Sequence, residues 1–145
     1  MNEIVVHVEV EVNPTEDLEK VKRAVENIFG AVKFEVESRT WGQLLIAETT
    51  GTGDLTKLYN LLRREQIRAA ARKVFFSGID EKSVTFYLNK QVAYAGHISF
   101  SQQTAESPLR PINVQIRCSN PRELIEWLTP KTTKTTRRKS SSRSK

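Results

Sequence analysis

The sequence predicts an α+β domain whose mostly antiparallel sheet carries its helices on one face, in the order βαββαβββα. Three observations lead there. Period-two alternation marks the first strand, helical-period apolar spacing marks three separate segments, and hairpin-length links join the late strands. About 130 residues before the basic tail suit one domain with a single core, residues 1–130, followed by the tail at 131–145.

In the first strand Ile4, Val6, Val8, Val10 and Val12 point one way, and Glu3, His7, Glu9 and Glu11 the other. Asn13-Pro14-Thr15-Glu16 opens a helix, with Asn13 or Thr15 as cap and Pro14 in the first turn. Leu18, Val21, Val25, Ile28 and Phe29 continue it to a stop at Gly30. Val32, Phe34 and Val36 alternate as a second strand, and Leu44 to Ala47 form a third. A cap at Asp54 starts a helix running to about Val74, with Leu55, Leu58, Leu62 and Ala69 on its apolar side. Val84, Phe86 and Leu88 mark a fourth strand and Gln91–Phe100 a fifth, joined by a tight turn at Asn89-Lys90. That turn pairs Tyr87 with Val92 and Thr85 with Tyr94, placing both rings on one sheet face. Gly96 then permits a bulge or a close backbone approach. Ile112, Val114 and Ile116 form a sixth strand. Asn120-Pro121-Arg122-Glu123 opens the last helix, which bears Leu124, Ile125, Trp127 and Leu128.

Charge divides the chain sharply. Seven of its 23 Lys and Arg residues fall in positions 131–145, which contain no acid, so the whole formal charge of +6 belongs to the tail. Residues 1–130 hold 16 basic against 17 acidic groups and give no bulk signal for nucleic acid. The tail has no apolar residue to bury and reads as disordered. Lys131, Lys134, Arg137, Arg138 and Lys139 there offer sequence-blind, salt-sensitive phosphate affinity. No apolar run reaches the length of a membrane span, and the start shows no signal-peptide anatomy. With Cys118 the only cysteine, a cytoplasmic protein without a membrane partner is expected.

Few residues suggest chemistry. His7 and His97 are the only histidines, and metal-binding, nucleotide-binding and hydrolase motifs are absent from the sequence. A non-enzyme with no cofactor, metal or small-molecule substrate is expected. Lys57, Arg64 and Arg68 fall within about 40° of arc on the long predicted helix, and Arg72 about 40° further. This stripe either follows phosphates or is simply the solvated side. Lys90 sits at the predicted hairpin tip, open to a phosphate or a partner. Tyr87 and Tyr94 could stack on bases or line a dimer interface.

The run Phe86-Tyr87-Leu88-Asn89-Lys90-Gln91-Val92-Ala93-Tyr94-Ala95-Gly96 resembles the archaeal uncharacterised protein family 0201. So do Pro14-Thr15-Glu16-Asp17, the stretch from Leu62-Arg63 to Ala71-Arg72, Glu106-Ser107-Pro108-Leu109 and Glu126-Trp127-Leu128-Thr129-Pro130. The resemblance covers nearly all of residues 1–130 and departs at Arg110, where a small residue is expected. It implies a fold like that of a large-subunit ribosomal protein of the L-five type, a possible RNA partner, and no demonstrated activity. The leading expectation is an RNA-associated protein with a phosphate-binding tail. The alternative is a homodimeric interaction module, because both faces of the predicted Val84–Phe100 hairpin carry large apolar groups.

Overall fold

The computed structural model describes residues 4–51, 53–101 and 111–131. The expected disordered tail beyond Lys131 and most of the predicted 101–111 loop lie outside the described residues. The domain is α+β, as its sequence predicts. Its strands are β1 (Val5–Val12), β2 (Phe34–Arg39), β3 (Gly42–Thr50), β4 (Ser83–Leu88), β5 (Phe100–Ser101) and β6 (Ile112–Arg117). The helices are α1 (Leu18–Phe29), α2 (Gly53–Arg64), α3 (Arg68–Ser77), α4 (Lys90–Tyr94) and α5 (Pro121–Leu128). One antiparallel sheet runs in the order β2-β3-β1-β6-β4-β5.

β1 lies near the middle, paired on one side with β3 and on the other with β6. Its alternation is maintained throughout: Val6, Val8, Val10 and Val12 are buried, with His7, Glu9 and Glu11 between them on the other face. The registers carry this division across the sheet. Leu45, Ala47, Val84, Phe86, Leu88, Ile112, Val114 and Ile116 share the buried face. The five helices among the described residues all pack there and join the same core. Phe75 of α3 meets Phe86 at 4.8 Å and Phe100 at 5.7 Å between ring centroids, tying α3 to β4 and β5.

Helix starts follow their local chemistry, with one shift. The α1 cap is Asp17, whose side chain accepts the Glu19 N–H at 2.9 Å. Asn13–Glu16, read as the helix opening, is a turn instead: the Glu16 N–H donates to the Asn13 carbonyl, and the Asn13 N–H donates back to the Glu16 carboxylate. The second such motif behaves as read, with Asn120 capping α5 through the Glu123 N–H and Pro121 following it.

Two predicted elements differ. The helix expected from Asp54 to Val74 is two helices, broken where Gln66 takes a φ of 58°. The Ile67 N–H reaches back to the Leu62 carbonyl, closing α2 as a Schellman-type turn without glycine. The break re-phases the apolar face. In one continuous helix, Ala71 and Phe75 would lie roughly half a turn away from Leu58 and Leu62. Broken, all four are buried, while Ala69, expected on the apolar side, is exposed.

The expected fifth strand, Gln91–Phe100, is mostly the short helix α4. Asn89 is its cap, accepting the Val92 N–H at 3.0 Å, not part of a tight turn. Gly96 closes α4 in the left-handed region at φ 90°, and the His97 N–H returns to the Val92 carbonyl. Only Phe100 and Ser101 pair with β4, opposite Leu88 and Tyr87. The predicted Tyr87–Val92 and Thr85–Tyr94 register is therefore incorrect. Phe100 lies on the buried face and Ile98 is buried, which removes the two-faced hairpin from which a homodimer was argued.

Gly78 gives this fold a test. A Cβ there would lie 1.9 Å from the Thr85 carbonyl oxygen, where α3 turns into β4. Gly78→Ala is expected to destabilise the protein by about 2–3 kcal/mol, read as a lower urea midpoint. Gly53→Ala, whose Cβ meets nothing within 4 Å, should be neutral or slightly stabilising.

Candidate nucleic-acid interface

The one-sided sheet sorts charge as well as hydrophobicity. Glu9, Glu11, Glu35, Glu37 and Glu48 share its open face with Arg39 and Arg117. The strands thus hold five acids against two strongly basic groups. The five helices hold eleven Lys and Arg against five Asp and Glu, a surplus of six positive charges. The near-neutral body expected from composition is a basic helical layer on an acidic sheet. Such a layer is the electrostatic form that attracts a phosphate backbone.

The predicted basic stripe divides with its helix. Lys57 and Arg64 lie on α2, and Arg68 and Arg72 on α3. Lys57 Nζ donates to the Glu26 carbonyl at 3.0 Å, and Arg64 Nη2 to the Gly96 carbonyl at 2.7 Å, yet both side chains are exposed. Arg72 is fixed internally. Its guanidinium donates to both Glu126 carboxylate oxygens at 2.8 and 2.7 Å and to the Thr129 carbonyl at 2.9 Å, binding α3 to α5. The Arg72 hydrogen bond holds the Glu126 carboxyl below the usual range.

Lys90 is not at a hairpin tip. Its side chain is 7% exposed, and Nζ donates to the Glu11 carbonyl and to Glu16 Oε1 at 3.0 Å. It is an internal tie among β1, the turn that follows it and α4. Tyr87 remains on the open sheet face, half-buried, whereas Tyr94 ends α4 with 46% exposure. The two rings therefore do not form one surface. Lys131 is exposed, while Lys134, Arg137, Arg138 and Lys139 lie outside the described residues.

Sequence reading missed several groups in the helical layer. Lys20 and Arg23 are exposed on α1, and Lys20 Nζ stands 5.9 Å from the Tyr94 ring centroid. Arg63 lies over Tyr59 at 4.4 Å, and Tyr59 stacks on Trp127 at 5.0 Å. Phe76 lies beneath both Arg72 at 4.9 Å and Arg122 at 5.3 Å. Helical spacing links Tyr59 to Arg63 and Arg72 to Phe76, so these pairs were readable. The contacts to Trp127 and Arg122 required α5 to be docked.

Other titratable groups are structural in character. Burial pushes the Cys118 thiol up, away from the reactive range. Among the described residues, no group of three or more His, Cys, Asp or Glu side chains is arranged to hold a metal ion, and no helix is long and apolar enough to cross a membrane.

Fold and surface together define a small α+β domain with one covered sheet and a basic helical layer. A family model described as RNA binding matches residues 5–118. A UPF0201 protein of Sulfolobus acidocaldarius is 45% identical over 127 residues, covering 88% of each chain. One from Pyrobaculum neutrophilum is 42% identical over 124 residues, covering 85% of this chain and 87% of its own. The crystal structure of a UPF0201 protein from Methanococcus jannaschii superposes with a TM-score of 0.75 at 32% identity, over 88% of this chain and 99% of that one. The chain belongs to the UPF0201 family.

On the acidic face, His7 Nδ1 lies 3.0 Å from Glu48 and Nε2 2.7 Å from Glu9. Burial disfavours the charged ring, but the two carboxylate hydrogen bonds outweigh it and raise the imidazole above its ordinary value of 6.5. A raised folded-state value gives stability that is fully present below pH 6.5 and lost as pH rises through that folded value. His7→Gln should therefore cost stability near pH 6 and little near pH 9, measured as the difference in urea midpoints. An equal cost at both pH values would contradict protonation as its source.

Proposed function

We propose that this is a non-catalytic, cytoplasmic RNA-associated protein that holds the phosphate backbone against its helical layer. The segregation of charge carries this reading: eleven basic groups on the helices stand opposite an acidic sheet. The family model's description points the same way, and the L-five-type ribosomal fold that the family resemblance implies would suit it. Lys57, Arg64 and Arg68, joined by Lys20 and Arg23, are the backbone contacts. Arg72 and Lys90 serve the architecture, since each is already held by a carboxylate. Lys131, Lys134, Arg137, Arg138 and Lys139 add affinity without sequence preference.

Lys20→Gln, Arg64→Gln and Arg68→Gln combined should weaken RNA binding and reduce its log–log salt slope by about two to three units. Truncation after Pro130 should reduce it further and independently. The measurement is RNA affinity across a salt series. A triple variant with the wild-type slope would place the helical layer outside the interface.

The homodimer reading rests on a different edge from the one first expected. β2 is an outer strand of the sheet, and Val36 and Trp41, each 39% exposed, lie on it and beside it. A second copy pairing along β2 would cover both, against the repulsion of Glu35 and Glu37. Trp41→Ser should then shift the sedimentation-equilibrium mass toward the monomer, and a wild-type protein monomeric at high micromolar concentration would exclude this reading.

A further inference from the structure

A groove of 260 Å³ opens between α1 and α4 within the basic helical layer. Val21 and Ala24 supply its apolar wall, and Tyr94 stands at its rim. The backbone behind Tyr94 is held firmly. Asn27 Nδ2 donates to the Ala93 and Tyr94 carbonyls at 2.9 and 3.0 Å, and Arg64 clamps the Gly96 carbonyl just beyond. An aromatic ring fixed at its base, nearly half exposed and flanked by Lys20, is a preorganised stacking platform.

Charge selects what can enter. Glu16, on one wall, is matched by Lys90, and Asp17 adds a second carboxyl group to the lining, which disfavours a phosphate within the groove. An uncharged planar group is admitted there, while phosphates are attracted to Lys20 beside the Tyr94 ring and to Arg64 at the turn beyond it. A nucleotide within a strand has both parts in that relation. We propose that the α1–α4 groove receives one unpaired base of an RNA strand, stacked on Tyr94, with its flanking phosphates on Lys20 and Arg64. Stacking displaces Lys20 from the ring and frees its ammonium for the backbone. This rests on the RNA-association reading and adds to it a preference for single strands.

The full-length chain, Tyr94→Ala and Tyr94→Phe can be titrated with a labelled ten-nucleotide oligoadenylate and with an RNA duplex of equal length, across a salt series. Tyr94→Ala should lose about five- to a hundredfold in affinity for the single strand, with an unchanged salt slope and unchanged duplex binding. Tyr94→Phe should bind like wild type. Wild-type binding of the strand with no loss in Tyr94→Ala would overturn the base site and leave RNA association standing. Failure of the wild type to bind either RNA would overturn both. Equal losses on strand and duplex would show that Tyr94 acts through the fold, and loss of self-association alone would assign the groove to a second copy. Either result overturns the proposal.

Discussion

The alternation of β1 is the constraint from which the rest of the molecule follows. Val6, Val8, Val10 and Val12 are each no more than 3% exposed, and β1 is hydrogen-bonded on both sides. Because side chains alternate with period two, a slip of one residue would turn all four valines to solvent and bring His7, Glu9 and Glu11 into the core. Register, sheet sidedness and the position of every helix are therefore fixed together. The glutamates between the valines become an acidic outer face as a direct consequence.

With acids concentrated on the open sheet, the cations of the body lie mainly on the covering helices. A body with almost no net charge thus presents two surfaces of opposite sign, and only one of them suits an anionic partner. The open face neutralises part of its own charge: His7 bridges Glu9 and Glu48, and Arg117 reaches Glu48 at 3.2 Å. On β2, Glu37 pairs with Arg39. These charges also guard the outer strand against indiscriminate pairing.

α4 depends on polar contacts to an unusual degree for so short a helix. Lys90 joins it to Glu16 and to the Glu11 carbonyl, Asn27 grips its last carbonyls, and Arg64 holds the turn that follows. A buried lysine is costly unless each donor is matched, and here the carboxylate and carbonyl lie within reach. The same contacts hold Tyr94 outward at the groove and direct Ile98 and Phe100 inward.

The sequence by itself determined the α+β class, the faces of β1, β4 and β6, the C-terminal helix with its Asn120 cap, and the family resemblance. Those features are local: period, cap and turn chemistry act within a few residues. Tertiary structure decided the division of the Asp54–Val74 helix, because Gln66 is an ordinary helix former and only the shared core requires Ala71 and Phe75 to realign with Leu58 and Leu62. It also decided that residues 90–94 are helical, since a lysine on the buried side conceals the amphipathic pattern until Glu16 supplies its partner. Of the residues proposed to meet RNA, Lys57, Arg64, Arg68 and Tyr94 were legible in the sequence. The gathering of cations from α1, α2 and α3 into one helical layer was not, because net charge is a sum over the chain, while attraction for a polyanion depends on which face each charge occupies.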